Sequence, residues 1–309
     1  NMKKNIIVFM ILMASAFAFS SGNKDEMSSE SIITVDKVEY TPFDLWLNKY
    51  FVDTYNIQFK YRYEAIEADY NYYTVPADYD NSIILAHLVK YLCLEAYDAV
   101  GGIEFTRANF PKMIFCIGDY EYKNNGTIVL GTAEGGRKIL LTGVNYLDGY
   151  VNDISMLNKY YFKTIHHEFT HILNQTKDMP TSYQFVTPAD YVADEWNSDQ
   201  FKEAVTEDGK GYLQKGFISA YSQHSYGEDF AEILSIYLCY PSETWEGWFE
   251  QADSNGAGGS QLIKAKLQLV KDYMTQSWGI DLDKLRATVQ TRQANVAAGK
   301  INLTNIDVD

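Results

Sequence analysis

TIHHEFTHIL, residues 164–173, holds three of the chain's five histidines within six positions. Around it, DISMLNKYYFKTIHHEFTHILNQT (153–176) keeps helical periodicity, with apolar residues at Leu157, Tyr161, Ile165, Phe169 and Ile172. The stretch is therefore expected on a helix. Residues four apart on a helix lie one turn above each other, so His167 and His171 can aim both imidazoles at one ion. Glu168 is turned about 100° from His167, beside such an ion, where a general base for an activated water belongs. His166 points off this axis and is expected on the helix surface or behind a ligand.

Two imidazoles do not complete a zinc site. A third histidine six residues beyond His171, with glycine three beyond, is missing, since Asn174 and Lys177 stand there. Two carboxylate pairs spaced by four remain: Glu195 and Asp199 in DEWNSD, and Glu228 and Glu232 in YGEDFAEIL. A helix that delivers a ligand to the histidine helix must pack on it and needs an apolar stripe. EDFAEILSIYL supplies Phe230, Ile233, Leu234, Ile236, Tyr237 and Leu238, whereas DEWNSDQFKEAV supplies little beyond Trp196 and Phe201. Packing thus favours Glu228 as third ligand, with Glu195 the alternative. Ser225 and Glu228 also make the S-x-x-E pattern of a helix cap. Glu232, one turn further on, is placed to hydrogen-bond a ligand histidine from behind.

The rest of the chain bounds the setting. Its 309 residues are 46% hydrophobic, enough to bury a sizeable core. A net charge of −15 argues against nucleic acid or an anionic membrane surface as the main partner. Tyrosine is abundant, as in ADYNYYTVPADYD (68–80), which reads as strand edge and half-buried surface. Cys93, Cys116 and Cys239 each lie in an apolar run and read as buried thiols. His87, among apolar neighbours on a helix, reads as a core histidine.

Residues 1–21, MKKNIIVFMILMASAFAFSS after the first asparagine, have the lysines, short apolar run and small residues of an export signal. Residues 22–40 read as a flexible tether, and 41–309 as a single two-lobed domain. Lipid anchoring would need a cysteine where Gly22 stands.

Within 41–309 the order of elements suggests α+β. Thr41 and Pro42 start a first helix; NIQFKYRYEA alternates as a strand; NSIILAHLVKYLCLEAYDAVGG is a long buried helix closed by glycine. PKMIFCIGDYEY, GTIVLGT and RKILLTGVNYL read as antiparallel strands joined by the hairpin sequences KNNG and AEGG. The last is expected as an edge strand beside the histidine helix, open to an extended substrate. Helices follow to the end, making a mostly helical C-terminal lobe.

HExxH followed by SAYSQHSYGEDFAE resembles the gluzincin metallopeptidases, and a tyrosine seven residues before E-x-F-A-E is similar to the catalytic domain of anthrax lethal factor. The resemblance implies a zincin-like fold, one Zn²⁺ per chain held by His167, His171 and Glu228, and Tyr221 assisting the transition state. It further implies a peptide or protein substrate, for which nearby His224 is a candidate contact. Over a wider span, DLWLNKYF, YNIQFKYRY, GFISAYS and WGIDLDKLR resemble the zinc metallopeptidase lipoproteins that Bacteroidetes keep beside outer-membrane nutrient importers. That likeness implies an extracytoplasmic, outer-membrane or cell-surface location and association with importer components. Gly22 departs from it, because that family carries an acylated cysteine there. A non-catalytic nutrient-binding lipoprotein with a structural zinc is the competing reading. Intact Glu168 and Tyr221 favour the enzyme, since a structural site needs no base.

Overall fold

The computed structural model describes residues 39–64, 75–122, 128–129, 133–134 and 138–308. The expected export signal, nearly all of the expected tether, and most of the tyrosine cluster lie outside the described residues. Tyr40–Asp309 forms one compact unit.

The unit opens with α1 (Pro42–Leu47), where Thr41 and Asp44 exchange the two bonds of a capping box and Pro42 sits at the first helical position. The helix continues through a π-helical turn, Asn48–Asp53, and buries Phe43, Trp46 and Phe51. Strand β1 (Gln58–Lys60) is much shorter than the alternation in NIQFKYRYEA suggests. Helix α2 (Tyr79–Val89) passes through a π-helical turn into α3 (Glu95–Gly101). It stops at Gly102, whose φ of +82° suits a residue without Cβ. On α2, His87 packs its ring 4.3 Å from that of Trp46 and bonds the Asn305 carbonyl at 3.0 Å. Helix α4 (Ile103–Asn109) leads to strand β2 (Met113–Cys116). The short strands β3 (Glu121–Tyr122), β4 (Ile128–Val129) and β5 (Ala133–Glu134) precede β6 (Lys138–Leu141).

The sheet corrects the sequence reading. Its order is β1-β2-β6-β5, and two of the three pairings, β1 with β2 and β2 with β6, are parallel. Among the described residues, β5–β6, the separate β3–β4 ribbon and an isolated bridge between Pro76 and Ile117 are antiparallel. The physical reason is visible in β6, whose four residues KILL are all buried, as befits a strand covered on both faces. Nor is β6 an edge. The Ala133–Glu134 strand pairs along its outer side, so the edges are β1 and β5.

One face of the fold is built by the histidine helix. Its first turn, α5 (Ile154–Leu157), is capped by Asp153, a π-helical turn spans Asn158–Phe162, and α6 (Lys163–Thr176) follows. Leu157, Tyr161, Ile165 and Phe169 are fully buried, so the expected stripe is the packed one. Phe169 meets Tyr97 and Phe110 at ring separations of 4.9 Å each. Burial of each such ring contributes about 2 kcal/mol. Against α6 lies α7 (Tyr226–Cys239), in the most extensive helix–helix contact of the fold. Helices α8 (Ser242–Asp253), α9 (Gly259–Trp278) and α10 (Leu282–Ala297) complete the chain's helical half. The three cysteines are free and buried, as their apolar runs suggest.

Candidate metal centre

The α6–α7 contact brings three donor atoms to one point. His167 Nε2 is 2.9 Å from Glu228 Oε2, His171 Nε2 is 3.2 Å from the same oxygen, and the two Nε2 atoms are 3.0 Å apart. Among the described residues these three make up the group able to hold a metal ion. With both rings neutral and their protons on Nδ1, all three atoms are acceptors, and a cation at the centre would satisfy them together. Tetrahedral zinc with bonds of about 2.0–2.1 Å would hold neighbouring donors roughly 3.3 Å apart, close to what is seen here. The donor set fits zinc.

Local structure explains the aim. Ser225 caps α7 by accepting the Glu228 backbone N–H, which fixes the first turn, and the Glu228 carboxylate is turned to the imidazoles. Next to it, Asp229 is fully buried in an ion pair of 2.6 Å with Lys266 of α9 and accepts the Tyr191 hydroxyl at 3.0 Å. Burial works against charge on Glu228, yet its contacts with His167 and His171 hold its carboxyl well below the ordinary range. Burial likewise disfavours a proton on His167, but its contacts with Glu228 and Glu232 and the charges of Glu232 and Glu168 prevail and raise it to about 9.

Glu232 sits behind His167. Its Oε1 lies 2.9 Å from His167 Nδ1, off the in-line hydrogen-bond direction. Lys163 Nζ reaches both carboxylate oxygens, at 2.9 and 3.0 Å, and Ser219 Oγ donates to Oε2 at 2.7 Å. Burial opposes its ionisation, but the Lys163 charge and His167 hold its carboxyl well below the ordinary range.

Glu168 is half-buried on α6, and its charge acts on both His167 and Tyr221. Tyr221 opens a 3₁₀ turn, Tyr221–Gln223, and its ring centroid is 5.9 Å from that of His167. Burial, then the charge of Glu228 and a hydrogen bond with it, push the phenol well above its ordinary value. It is therefore a proton donor at neutral pH. His224 lies against Tyr221 at 5.7 Å between rings, with its Nε2 3.3 Å from Asp194 Oδ1.

One sequence expectation needs correction, and the less favoured ligand candidate falls outside the donor group. His166 is neither on the surface nor behind a ligand: it is 0% exposed, its Nδ1 is 3.0 Å from the Tyr97 hydroxyl, and burial lowers it to about 3. The face of α6 that carries His166 and Phe169 meets Tyr97 of α3, so a residue off the ligand axis meets core, not water. Glu195 is exposed in a short 3₁₀ turn, Ala193–Asn197, outside the donor group, and Asp199 pairs with Lys202 on the surface. That segment contributes differently. Trp196 stands edge-on to Tyr221 with centroids 5.1 Å apart.

Sequence reasoning missed Lys163, Ser219 and Trp196. Lys163 could have been found, since it lies four residues before His167 on the same helical face. Ser219 and Trp196 carry no such signal, because both arrive on irregular segments.

A protein-family profile described as "Putative zinc-binding metallo-peptidase" matches residues 36–283. The chain is also similar to a solved structure of a "putative zinc-binding metallo-peptidase" from Bacteroides caccae. That similarity has 37% sequence identity and a TM-score of 0.73, and covers 90% of this chain and 100% of the other. No curated protein matches.

Proposed function

The chain belongs to the family described as "Putative zinc-binding metallo-peptidase", and from that premise we propose that it hydrolyses peptide or amide bonds in the gluzincin manner. The convergence of His167, His171 and Glu228 beside Glu168 carries this reading. One zinc ion would be held by those three side chains. Bound there, it would supply Lewis acidity and bring water ionisation toward neutral pH.

The chain's own residues do the rest. Glu168 takes a proton from the attacking water and returns it to the departing amine. Tyr221 donates its hydroxyl proton in a hydrogen bond to the oxygen on which negative charge develops, an interaction that strengthens toward the transition state. Glu232 fixes the orientation of His167. Trp196 stands edge-on to the Tyr221 ring, and His224, which also lies against that ring, is offered to substrate. A purely structural ion is usually closed by four protein donors, whereas the group among the described residues has three. This favours catalysis over a nutrient-binding role.

We further place its work outside the cytoplasm, on the strength of the export signal in residues 1–21, and in the service of nutrient import, on the lipoprotein likeness. A lipid anchor would require cysteine in place of Gly22. The deciding experiment is digestion of a peptide library with and without a zinc chelator. Cleavage that survives removal of zinc, or that is unchanged in Glu168→Gln, would overturn the proposal.

A further inference from the structure

Ser219 Oγ makes two bonds that matter together. It donates to Glu232 Oε2 at 2.7 Å and accepts the Ser222 backbone N–H at 3.1 Å. The second bond closes the turn that presents Tyr221; a backbone bond from Ser222 N–H to the Ser219 carbonyl, 3.2 Å, supports it. The first ties that turn to the carboxylate which lies 2.9 Å from His167 Nδ1 and is spanned by Lys163. Glu232 is 1% exposed and Ser222 fully buried, so the acceptor carboxylate and the turn amide are largely closed to water, while Ser219 and Lys163 reach them from partly exposed positions. A buried carboxylate that serves several donors has one well-defined orientation, and shifting it disturbs all of them.

We propose that Ser219 and Lys163 are positioning residues that act through Glu232. Ser219 sets where the Tyr221 hydroxyl stands, and Lys163 sets how the His167 imidazole faces the donor group. One buried carboxylate thereby keeps the oxyanion donor and the metal-binding ring in fixed relation. This inference rests on the zinc-peptidase reading for the roles of Tyr221 and His167.

Ser219→Ala removes the tie to the Tyr221 turn and leaves Lys163 and His167 in place. It should lower kcat by about tenfold with little change in KM, and leave zinc affinity within about twofold of the parent. Ser219→Thr, which keeps the hydroxyl, should restore most of the rate. In a Tyr221→Phe background the same Ser219→Ala change should cost less than about twofold, because the group it positions is already gone. Lys163→Met should weaken zinc binding by about tenfold or more, and Lys163→Arg should recover most of it.

The test uses the zinc-loaded full chain. Zinc affinity is read by competition with a chromophoric chelator, kcat and KM on a peptide from the library, and hydrogen exchange at the Ser222 and Gln223 amides. Equal rate losses from Ser219→Ala with and without Tyr221, or parent-like zinc affinity in Lys163→Met, overturn the inference. A parent that holds zinc but cleaves nothing sinks the peptidase reading and leaves this one to the other two measurements. Exchange about tenfold faster in Ser219→Ala and restored in Ser219→Thr supports it; unchanged exchange overturns it.

Discussion

His167 is gripped at both ring nitrogens: Nε2 is 2.9 Å from Glu228 Oε2, and Nδ1 is 2.9 Å from Glu232 Oε1. The two carboxylates lie one turn apart on α7, so a single helix supplies both a candidate ligand and the group that orients its neighbour. Replacing Glu232 by glutamine keeps the size and removes the charge behind the ring. Zinc affinity should fall by about 10–100-fold. Chelator competition on the purified protein measures it, and parent-like affinity would show that Glu232 does not orient the ring.

His167→Ala and Glu228→Gln should each lose zinc severely, whereas Glu195→Gln should keep it. Glu228 meets both imidazoles, while Glu195 is exposed in a separate turn. Metal analysis after gel filtration decides. Equal loss in the two glutamate variants would return Glu195 to candidacy.

Glu168→Gln should retain zinc and fold and lose at least about two orders of magnitude in hydrolysis, the usual contribution of a positioned base. Cleavage at the parent rate would mean that another group activates the water.

Tyr221→Phe removes only the hydroxyl of a phenol held protonated beside Glu228. It should keep zinc and lower kcat more than it raises KM, because its bond matters chiefly in the transition state. Steady-state kinetics on one cleavable peptide separates the two, and a pure KM effect would make Tyr221 a binding residue.

Acid should weaken the zinc-free fold through His166. Its folded value, about 3, lies below the ordinary histidine range, so the unfolded chain binds its proton first. Stability from this group is present above about pH 6.5 and is lost as pH falls toward 3, roughly 2 kcal/mol of it by pH 5. Urea unfolding at pH 7 and pH 5 should show a shallower difference in His166→Gln than in the parent; equal differences would contradict the assignment.

Local rules were enough for the histidine helix, its apolar stripe, the Ser225 cap, and the choice of the Glu228 helix over the Glu195 segment. Each depends on residues three or four apart, a spacing that helical geometry turns directly into a shared face. The same holds for the Thr41–Pro42 start and the stop at Gly102. Strand direction was not legible. Parallel β2 and β6 and antiparallel partners can both be built from runs such as MIFC and KILL, and pairing is decided by residues far apart in the chain. His166 shows the same limit, since only the packing of α3 against α6 puts its ring in the core beside Tyr97. Sequence by itself determined which side chains could meet on one helical face. Only the tertiary structure decided that Lys163, Ser219 and His167 would share the buried carboxylate of Glu232, because that meeting depends on how α6, α7 and an irregular segment pack together.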